Sequence, residues 1–235
     1  MTERELSALM RISTSGARRL ILATALCGAL ITGCGNGSGG AGGDAQAKAK
    51  PAAEPKPLTV GALRPLLLSQ ADLGAGYSQA AEKSDSEKYD DVSVQGCSAL
   101  NKLDHNGDGI AFAAKAETSF TYDNTDATLS EELHSDRPSV LSSKLRALFK
   151  AYISCPKYTM TAGTTPITVK VAKSATPKLG DEQFAYTSTM ELPSGAQVLK
   201  TMAVRRGNVA VMLVGASALV DRHITTAFDK LPSAN

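Results

Sequence analysis

The chain contains one run of oxygen-bearing side chains whose spacing is typical of metal binding. Residues 104–109 read Asp-His-Asn-Gly-Asp-Gly, which matches the first half of a calcium-binding loop. Such a loop needs a bidentate carboxylate at its twelfth position, and this chain has Lys115 there. A cation cannot complete a calcium shell, and Gly, Asp and Asn are the usual residues of turns. We therefore expect an ordinary turn before a strand and no metal site.

The residues that could act as nucleophiles or general bases show no catalytic spacing either. No Gly-x-Ser-x-Gly elbow and no phosphate- or dinucleotide-binding glycine loop occurs, and the nearest segment, 215–219, lacks its last glycine. We expect surface or capping positions for the three scattered histidines, His105, His134 and His223. Adjacent carboxylates on a strand point to opposite faces, and we expect these pairs to be solvated: Asp90-Asp91 and Glu131-Glu132. The sequence therefore predicts no catalytic residue and no cofactor.

Chemistry of a different kind is indicated near the N-terminus, where Cys34 follows Ile31-Thr32-Gly33. These residues resemble the lipobox of bacterial lipoproteins, in which the cysteine thiol takes a diacylglyceryl group and becomes the new N-terminus. Upstream, four arginines and two glutamates in residues 1–19 precede an apolar run of twelve residues, 20–31. That run would span roughly 18 Å as a helix, which is too short for a bilayer core of about 30 Å. The pattern predicts a lipoprotein signal peptide over residues 1–33 and lipidation at Cys34.

The predicted anchor determines where the protein is expected to be. Two acyl chains, at about 0.8 kcal/mol per buried CH₂, hold a protein stably on a membrane, so we expect it on the extracellular face of the cell membrane. Residues 34–57 are rich in Gly, Ala, Pro and Lys without large aliphatic side chains, and they predict a flexible tether. The pair Arg18-Arg19 leaves both twin-arginine and general secretory export open.

The charge of the chain argues against a nucleic-acid partner. The formal net charge is only +2, and the four arginines and two glutamates of the predicted signal peptide account for all of it. A protein built to hold nucleic acid would show a clear basic excess. The partners that we expect are the membrane, through the lipid anchor, and either a small ligand or a protein of the cell envelope.

Residues 58–235 have continuous periodic apolar patterning and predict one domain. The pattern predicts an α+β fold with a largely antiparallel sheet packed with helices. The unbroken apolar run 209–214 predicts a central strand covered on both faces, and Arg206-Gly207-Asn208 predicts a hairpin before it with a polar tip. The other predicted strands lie at 111–122, 127–134, 167–171, 184–190 and 196–205, and the predicted helices at 61–69, 138–154 and 218–231.

Two of the four cysteines remain once the predicted signal peptide and the lipidated residue are set aside. These are Cys97, which opens a short apolar segment, and Cys155, which ends the long predicted helix. In an exported, oxidising context we expect them to form one disulfide, which stabilises the domain by about 4 kcal/mol in the chain-entropy estimate. No Cys-x-x-Cys spacing occurs, so a structural role is favoured over a redox-active one.

Several short segments of the domain occur in an order that is similar to a known family. They are Leu73-Gly74-Ala75-Gly76-Tyr77 after an apolar run, Cys97-Ser98-Ala99-Leu100, Ser119-Phe120, Cys155-Pro156-Lys157-Tyr158, Lys178-Leu179-Gly180-Asp181-Glu182 and Val204-Arg205-Arg206-Gly207-Asn208-Val209. Over residues 60–232 this series resembles the PknH-like extracellular sensor domain, which occurs on actinobacterial Ser/Thr kinases and on free-standing lipoproteins. The resemblance implies an antiparallel sheet with helices that leave a cleft for an unidentified ligand, and it offers no catalytic residues. The kinase sensor domain has two disulfides, whereas this chain can form one.

These observations predict a lipid-anchored extracytoplasmic sensor or ligand-binding domain with no catalytic activity of its own. They do not identify the residues that bind the ligand. The alternative is a carrier of lipid or another apolar ligand, which would need a large apolar cavity between sheet and helices. An enzyme would need a cleft that pairs His134 or His223 with a nucleophile. The absence of Trp also lowers the expectation of a sugar site, since such sites use flat aromatic platforms.

Overall fold

The structure is a computed structural model that describes residues 54–80, 92–105, 110–123, 125, 127–162 and 164–233. The predicted signal peptide, Cys34 and most of the predicted tether lie outside these residues. Within the described ranges, nine strands form one sheet: β1 (Tyr77–Gln79), β2 (Val92–Gln95), β3 (Ala114–Tyr122), β4 (Thr128–Ser135), β5 (Lys157–Ala162), β6 (Thr165–Lys173), β7 (Glu182–Leu192), β8 (Gly195–Arg206) and β9 (Val209–Gly215). The helices are α1 (Val60–Leu63), α2 (Gln70–Leu73), α3 (Ser98–His105), α4 (Pro138–Ile153) and α5 (Ser217–Asp229).

The strands run in the order β1-β3-β4-β9-β8-β7-β6-β5-β2, and every neighbouring pair is antiparallel. The α+β prediction is therefore confirmed. The apolar strand β9 lies between β4 and β8 with most of its side chains buried, as its unbroken apolar run predicts. The hairpin that joins β8 to β9 turns at Gly207, whose φ of 58° suits glycine.

Two helices cover opposite faces of the sheet, and we name the faces after them. On the α5 face, α5 packs over β4, β8 and β9. Its apolar stripe meets the strand residues that point the same way: Leu219, Val220, Ile224 and Phe228 against Met202, Val204, Val211 and Leu213. On the α4 face, α4 packs over β6, β7 and β9. There the apolar layer consists of Leu141, Leu145, Phe149 and Tyr152 against Ile167, Val169, Met190 and Ala203.

The helix predicted over residues 61–69 is instead divided into α1, a 3-10 turn (Arg64–Leu66) and α2. Pro65 lies in the 3-10 turn, where its missing N–H cannot support a continuous helix. A new helix then begins at Ser69, whose side chain accepts from the Asp72 N–H while the Asp72 carboxylate accepts from the Ser69 N–H. This reciprocal capping box fixes a second helix start that the apolar pattern alone does not reveal.

The predicted disulfide between Cys97 and Cys155 is present, with 5.7 Å between the two Cα atoms. Cys97 directly precedes α3 and Cys155 closely follows α4. Both cysteines are buried in the apolar layer of the α4 face. The bridge therefore joins the start of α3 to the C-terminal end of α4, the two helical elements that the sequence predicted it to connect.

Candidate functional site

Charged side chains of β3 and β4 meet on the α4 face of the sheet. The register places Lys115 opposite His134 and Glu117 opposite Glu132. Because side chains two residues apart on a strand point the same way, all four lie on one face. We call these four residues the polar patch. They lie beyond the strands that α4 covers, at the end of the face nearer to β1.

The polar patch is a connected set of ion pairs and hydrogen bonds. The Lys115 ammonium lies 2.9 Å from a carboxylate oxygen of Glu117 and 3.3 Å from one of Glu132. The other carboxylate oxygen of Glu132 lies 3.1 Å from Nε2 of His134. The side chains of Glu132 and His134 are 7% and 2% exposed, whereas Lys115 and Glu117 are 27% and 44% exposed. Glu132 and His134 thus form the buried part of the patch, and Lys115 and Glu117 form the part that is accessible to solvent.

The neighbouring carboxylates keep Lys115 charged. Burial by itself lowers the pKa of Lys115, but the carboxylates of Glu132 and Glu117 outweigh it, and the pKa is raised above its ordinary value. The ammonium therefore stays protonated at physiological pH. Nδ1 of His134, on the far side of the ring from Glu132, is buried and has no hydrogen-bond partner in the described residues. It is a polar atom that a ligand or a water molecule could satisfy.

A tyrosine cluster, Tyr152, Tyr158 and Tyr186, lies on the same face beside the patch. The rings of Tyr152 and Tyr186 stack with their centroids 4.7 Å apart. Burial raises the pKa of both, and the Glu132 carboxylate acts in the same direction, so it lies within electrostatic reach of the two phenols. Burial also raises the pKa of Tyr158 to about 12. All three phenols are therefore protonated hydrogen-bond donors at neutral pH.

A strip of sheet separates the polar patch from the tyrosine cluster. One row of the sheet runs from Ser130 through Val214 and Thr201 to Tyr186, across four adjacent strands. Three strand spacings correspond to about 14 Å, the length of a small organic molecule. Met212 and Val214 lie between the two clusters and are only half-buried. The arrangement combines charges, phenols and apolar surface on one ligand-sized strip.

Two contacts lie at the end of the polar patch that contains His134. The ring of Phe112 lies 4.2 Å from the ring of His134 and covers one end of the patch. Lys144 of α4 donates to the carbonyl oxygen of Ala111 and to the Asp136 carboxylate, each at 2.6 Å, and so ties α4 to the segment before β3. Burial acts to raise the pKa of Asp136, but Lys144 and the Arg137 N–H hold it below its ordinary value. Asp136 is thus an ionised partner for Lys144.

The expectation of surface histidines is wrong for two of the three. His134 and His223 are 2% and 5% exposed, and they lie on opposite faces of the sheet. His223 of α5 shares a 2.6 Å hydrogen bond with the Tyr77 hydroxyl, while His134 contacts Glu132. Burial and the nearby Arg222 lower the pKa of His223. His105 ends α3, and nothing is described of its side chain.

The adjacent carboxylates of β4 do point to opposite faces, but they are buried rather than solvated. Glu131 faces the α5 side and is 0% exposed, and Glu132 faces the α4 side and is 6% exposed. Solvation was expected because two carboxylates that point to opposite faces of a strand cannot act as a catalytic pair. β4 is instead an interior strand between β3 and β9, and every one of its residues after Thr128 is buried. The other carboxylate pair, Asp90-Asp91, lies outside the described residues.

Two other sequence patterns remain, the calcium-like run and the arginines of the hairpin. Asp104 lies in α3, and residues 106–109 of the calcium-like run lie outside the described part of the chain. Arg205 is bound by Asp181 and Glu182, and the Arg206 guanidinium lies 3.8 Å from the Phe228 ring centroid, so neither forms a free polar tip. In the described ranges, no three metal-ligating side chains are grouped, and no helix is long and apolar enough to span a bilayer.

Comparison with known proteins finds a similarity of fold. No protein-family model and no curated protein matches the chain. Among solved structures, the chain is similar to the crystal structure of the extracellular domain of PknH from Mycobacterium tuberculosis, with a TM-score of 0.57 and 14% identical residues. The match covers 74% of this chain and 97% of the PknH domain. The chain therefore shares the overall fold of that extracellular domain.

Proposed function

We propose that this chain is a lipid-anchored extracytoplasmic sensor or ligand-binding domain, which binds a small polar ligand between the polar patch and the tyrosine cluster and has no catalytic activity of its own. The observation that carries the proposal is the burial of two ionisable side chains, Glu132 and His134, in contact with each other. Burying ionisable groups costs desolvation energy that apolar side chains of similar size would not, so fold stability does not account for the patch. Such groups on an accessible surface favour a role in binding.

The expected location supports this proposal. The lipobox at Cys34 and the apolar run before it predict export and lipidation. The Cys97–Cys155 disulfide is the kind of bond that persists in an exported protein. The similarity in fold to an extracellular domain agrees with a position outside the cytoplasm. We therefore place the ligand in the cell envelope, as a free small molecule or as part of an envelope protein.

Native mass spectrometry of the purified full chain, with its disulfide intact, tests the proposal. We expect a co-purified or added small polar molecule to remain bound to the natural protein. The double variant Lys115→Met/Glu132→Gln removes the central ion pair of the patch and should release the molecule. Lys170→Met is the matched control, because Lys170 forms an exposed ion pair with Glu191 on the α5 face. It should leave binding unchanged.

The outcomes separate the proposal from its alternatives. A lipid that stays bound to the double variant would favour the alternative function, a carrier of apolar ligands. A clean spectrum, together with no thermal shift across a panel of polar metabolites, would contradict small-molecule binding and favour a protein partner. Turnover of an added molecule, lost in a His134→Gln variant, would contradict the absence of catalysis.

A further inference from the structure

The residues that precede the sheet form a segment that lies on the α5 face. This N-terminal segment, Leu58 to Leu73, contains α1, the 3-10 turn and α2. Its three buried side chains, Leu63, Leu68 and Leu73, belong to the apolar layer beneath α5. The same layer contains Leu129 and Leu133 of β4. The segment therefore lies on the side of the sheet opposite to the polar patch, where α1 packs against β3 and α2 against β1.

Three polar contacts hold the N-terminal segment in place. The Leu58 N–H donates to the Ser135 hydroxyl at 2.8 Å, and the Asp72 carboxylate accepts from Lys230 at 2.5 Å. Both contacts are partly or wholly accessible to water. The third is buried: the Leu68 N–H donates to Oε2 of Glu131 at 2.6 Å. Of these three contacts, the buried one is therefore made by a single carboxyl on β4, that of Glu131.

Glu131 is poorly equipped to carry a negative charge there. Its side chain is 0% exposed, and its second oxygen, Oε1, has no hydrogen-bond partner in the described residues. The charged groups that act on it are Lys230, just after α5, and Asp72 in α2, which have opposite signs. Burial raises the pKa of Glu131 to about 7, against the lowering effects of the Leu68 N–H and Lys230. The carboxyl gains or loses its proton within the physiological range.

We propose that the N-terminal segment is a proton-dependent latch on β4, closed when Glu131 is protonated and released when it is ionised. Release lets water reach the carboxyl, which then gives its proton to the solvent, and reclosing takes one proton up. In the released state the carboxyl titrates near its ordinary value, and in the closed state well above it. Linkage then requires that closure weaken as the pH rises from about 4.5 to about 7, by up to roughly two powers of ten in the closing equilibrium.

Hydrogen exchange of the full chain, measured by NMR from pH 5 to pH 8 and corrected for intrinsic exchange rates, tests the latch. We expect the protection of the Leu68 amide to fall at least about tenfold over this range in the natural protein. Glu131→Gln keeps an acceptor for the Leu68 N–H but does not titrate, so its protection should be independent of pH. Glu131→Leu, which replaces the carboxyl with an apolar side chain that does not titrate, should also remove the pH dependence and serves if the Gln variant does not fold.

Asp72→Asn is the control within the segment itself. The pKa of Asp72 is lowered to about 2 by its hydrogen bonds to Lys230 and Ser69, so Asp72 does not titrate between pH 5 and pH 8. The variant should weaken closure at every pH and keep the fall in protection. Three results would overturn the latch: constant Leu68 protection in the natural protein, an equal fall in Glu131→Gln, or a parallel fall at Val211 of β9. The last would show that the proton controls global unfolding rather than the segment.

Discussion

Lys115 supplies the positive charge that holds the two carboxylates of the polar patch together, because its ammonium contacts both Glu117 and Glu132. Lys115→Met keeps most of the aliphatic stem but leaves the Glu132 carboxylate buried without its cation. We expect the free energy of unfolding at pH 7 to fall by about 1–3 kcal/mol, less than for a fully buried pair because Lys115 is partly exposed. Urea unfolding followed by circular dichroism measures the change.

The partner substitution shows whether the loss comes from the Glu132 carboxylate when the Lys115 ammonium is missing. Adding Glu132→Gln to Lys115→Met removes the buried charge and should recover part of the lost stability. Lys170→Met, in the exposed pair with Glu191, should unfold like the natural protein. Unchanged unfolding of Lys115→Met would mean that water, and not Lys115, compensates Glu132.

At the scale of elements, the junction between β9 and α5 depends on the missing side chain of Gly215. A Cβ at this position would collide with the carbonyl oxygen of Thr128, at the start of β4. Because backbone cannot move aside without breaking the pairing of β4 with β9, Gly215→Ala should destabilise the domain by at least about 2 kcal/mol. Thermal unfolding measures this loss.

Gly61 of α1 provides the matched glycine substitution. A Cβ there meets only the Thr59 hydroxyl oxygen, at 3.9 Å. Gly61→Ala should therefore be neutral or should stabilise the domain by about 0.5 kcal/mol. Equal effects of the two alanine substitutions would show that the close approach at Gly215 is relieved by a backbone shift.

The disulfide stabilises the end of α4, where Tyr152 enters the tyrosine cluster. The residues of the bridge are 58 positions apart. The double variant Cys97→Ala/Cys155→Ala should lose about 4 kcal/mol of unfolding free energy in the chain-entropy estimate. Guanidinium unfolding with and without reductant measures the loss. Reductant should have no further effect on the double variant, and a natural protein that is insensitive to reductant would contradict this role of the bridge.

The long elements follow from local patterning in the sequence. The apolar stripe of α4, the stripe of α5, the unbroken run of β9 and the hairpin at Gly207 are predicted close to where they occur. The short strands β1, β2 and β5 are harder to predict. They contain only three to six residues, and their pairing with distant strands, rather than their own apolar content, defines them.

The candidate site could be predicted only in part. The alternation in β3 correctly places Lys115 and Glu117 on the face opposite to Phe120. Nothing local shows that this polar face meets Glu132 and His134, because the register between two strands sets that contact. A signal was present in β4, where charged residues occupy both alternating positions of a strand that lies within the sheet. A strand with that pattern needs polar partners on both faces.

At the scale of the whole molecule, the proposed lipid anchor depends on one thiol, that of Cys34. Cys34→Ala should abolish incorporation of labelled palmitate and leave unprocessed precursor, because the lipobox lacks its acceptor. Cys27→Ala is the matched control, since Leu26 precedes Cys27 and no lipobox fits there. Labelling that persists in Cys34→Ala would contradict lipidation at Cys34. Labelling that is lost in Cys27→Ala would indicate that Cys27 is the lipidated residue.

The two carboxylates of β4 also restrict the ways in which the chain can assemble. If β4 slipped by one residue against β3 and β9, every one of its side chains would change face. Glu132 and His134 would enter the apolar layer under α5, and Leu129 and Leu133 would stand beside Lys115. Glu131 already lies in that layer, so what the slip costs is the burial of Leu129 and Leu133 and the pairing of Lys115 with Glu132. The alternation of leucines and polar residues in β4 therefore favours the native alignment of this strand over the shifted one.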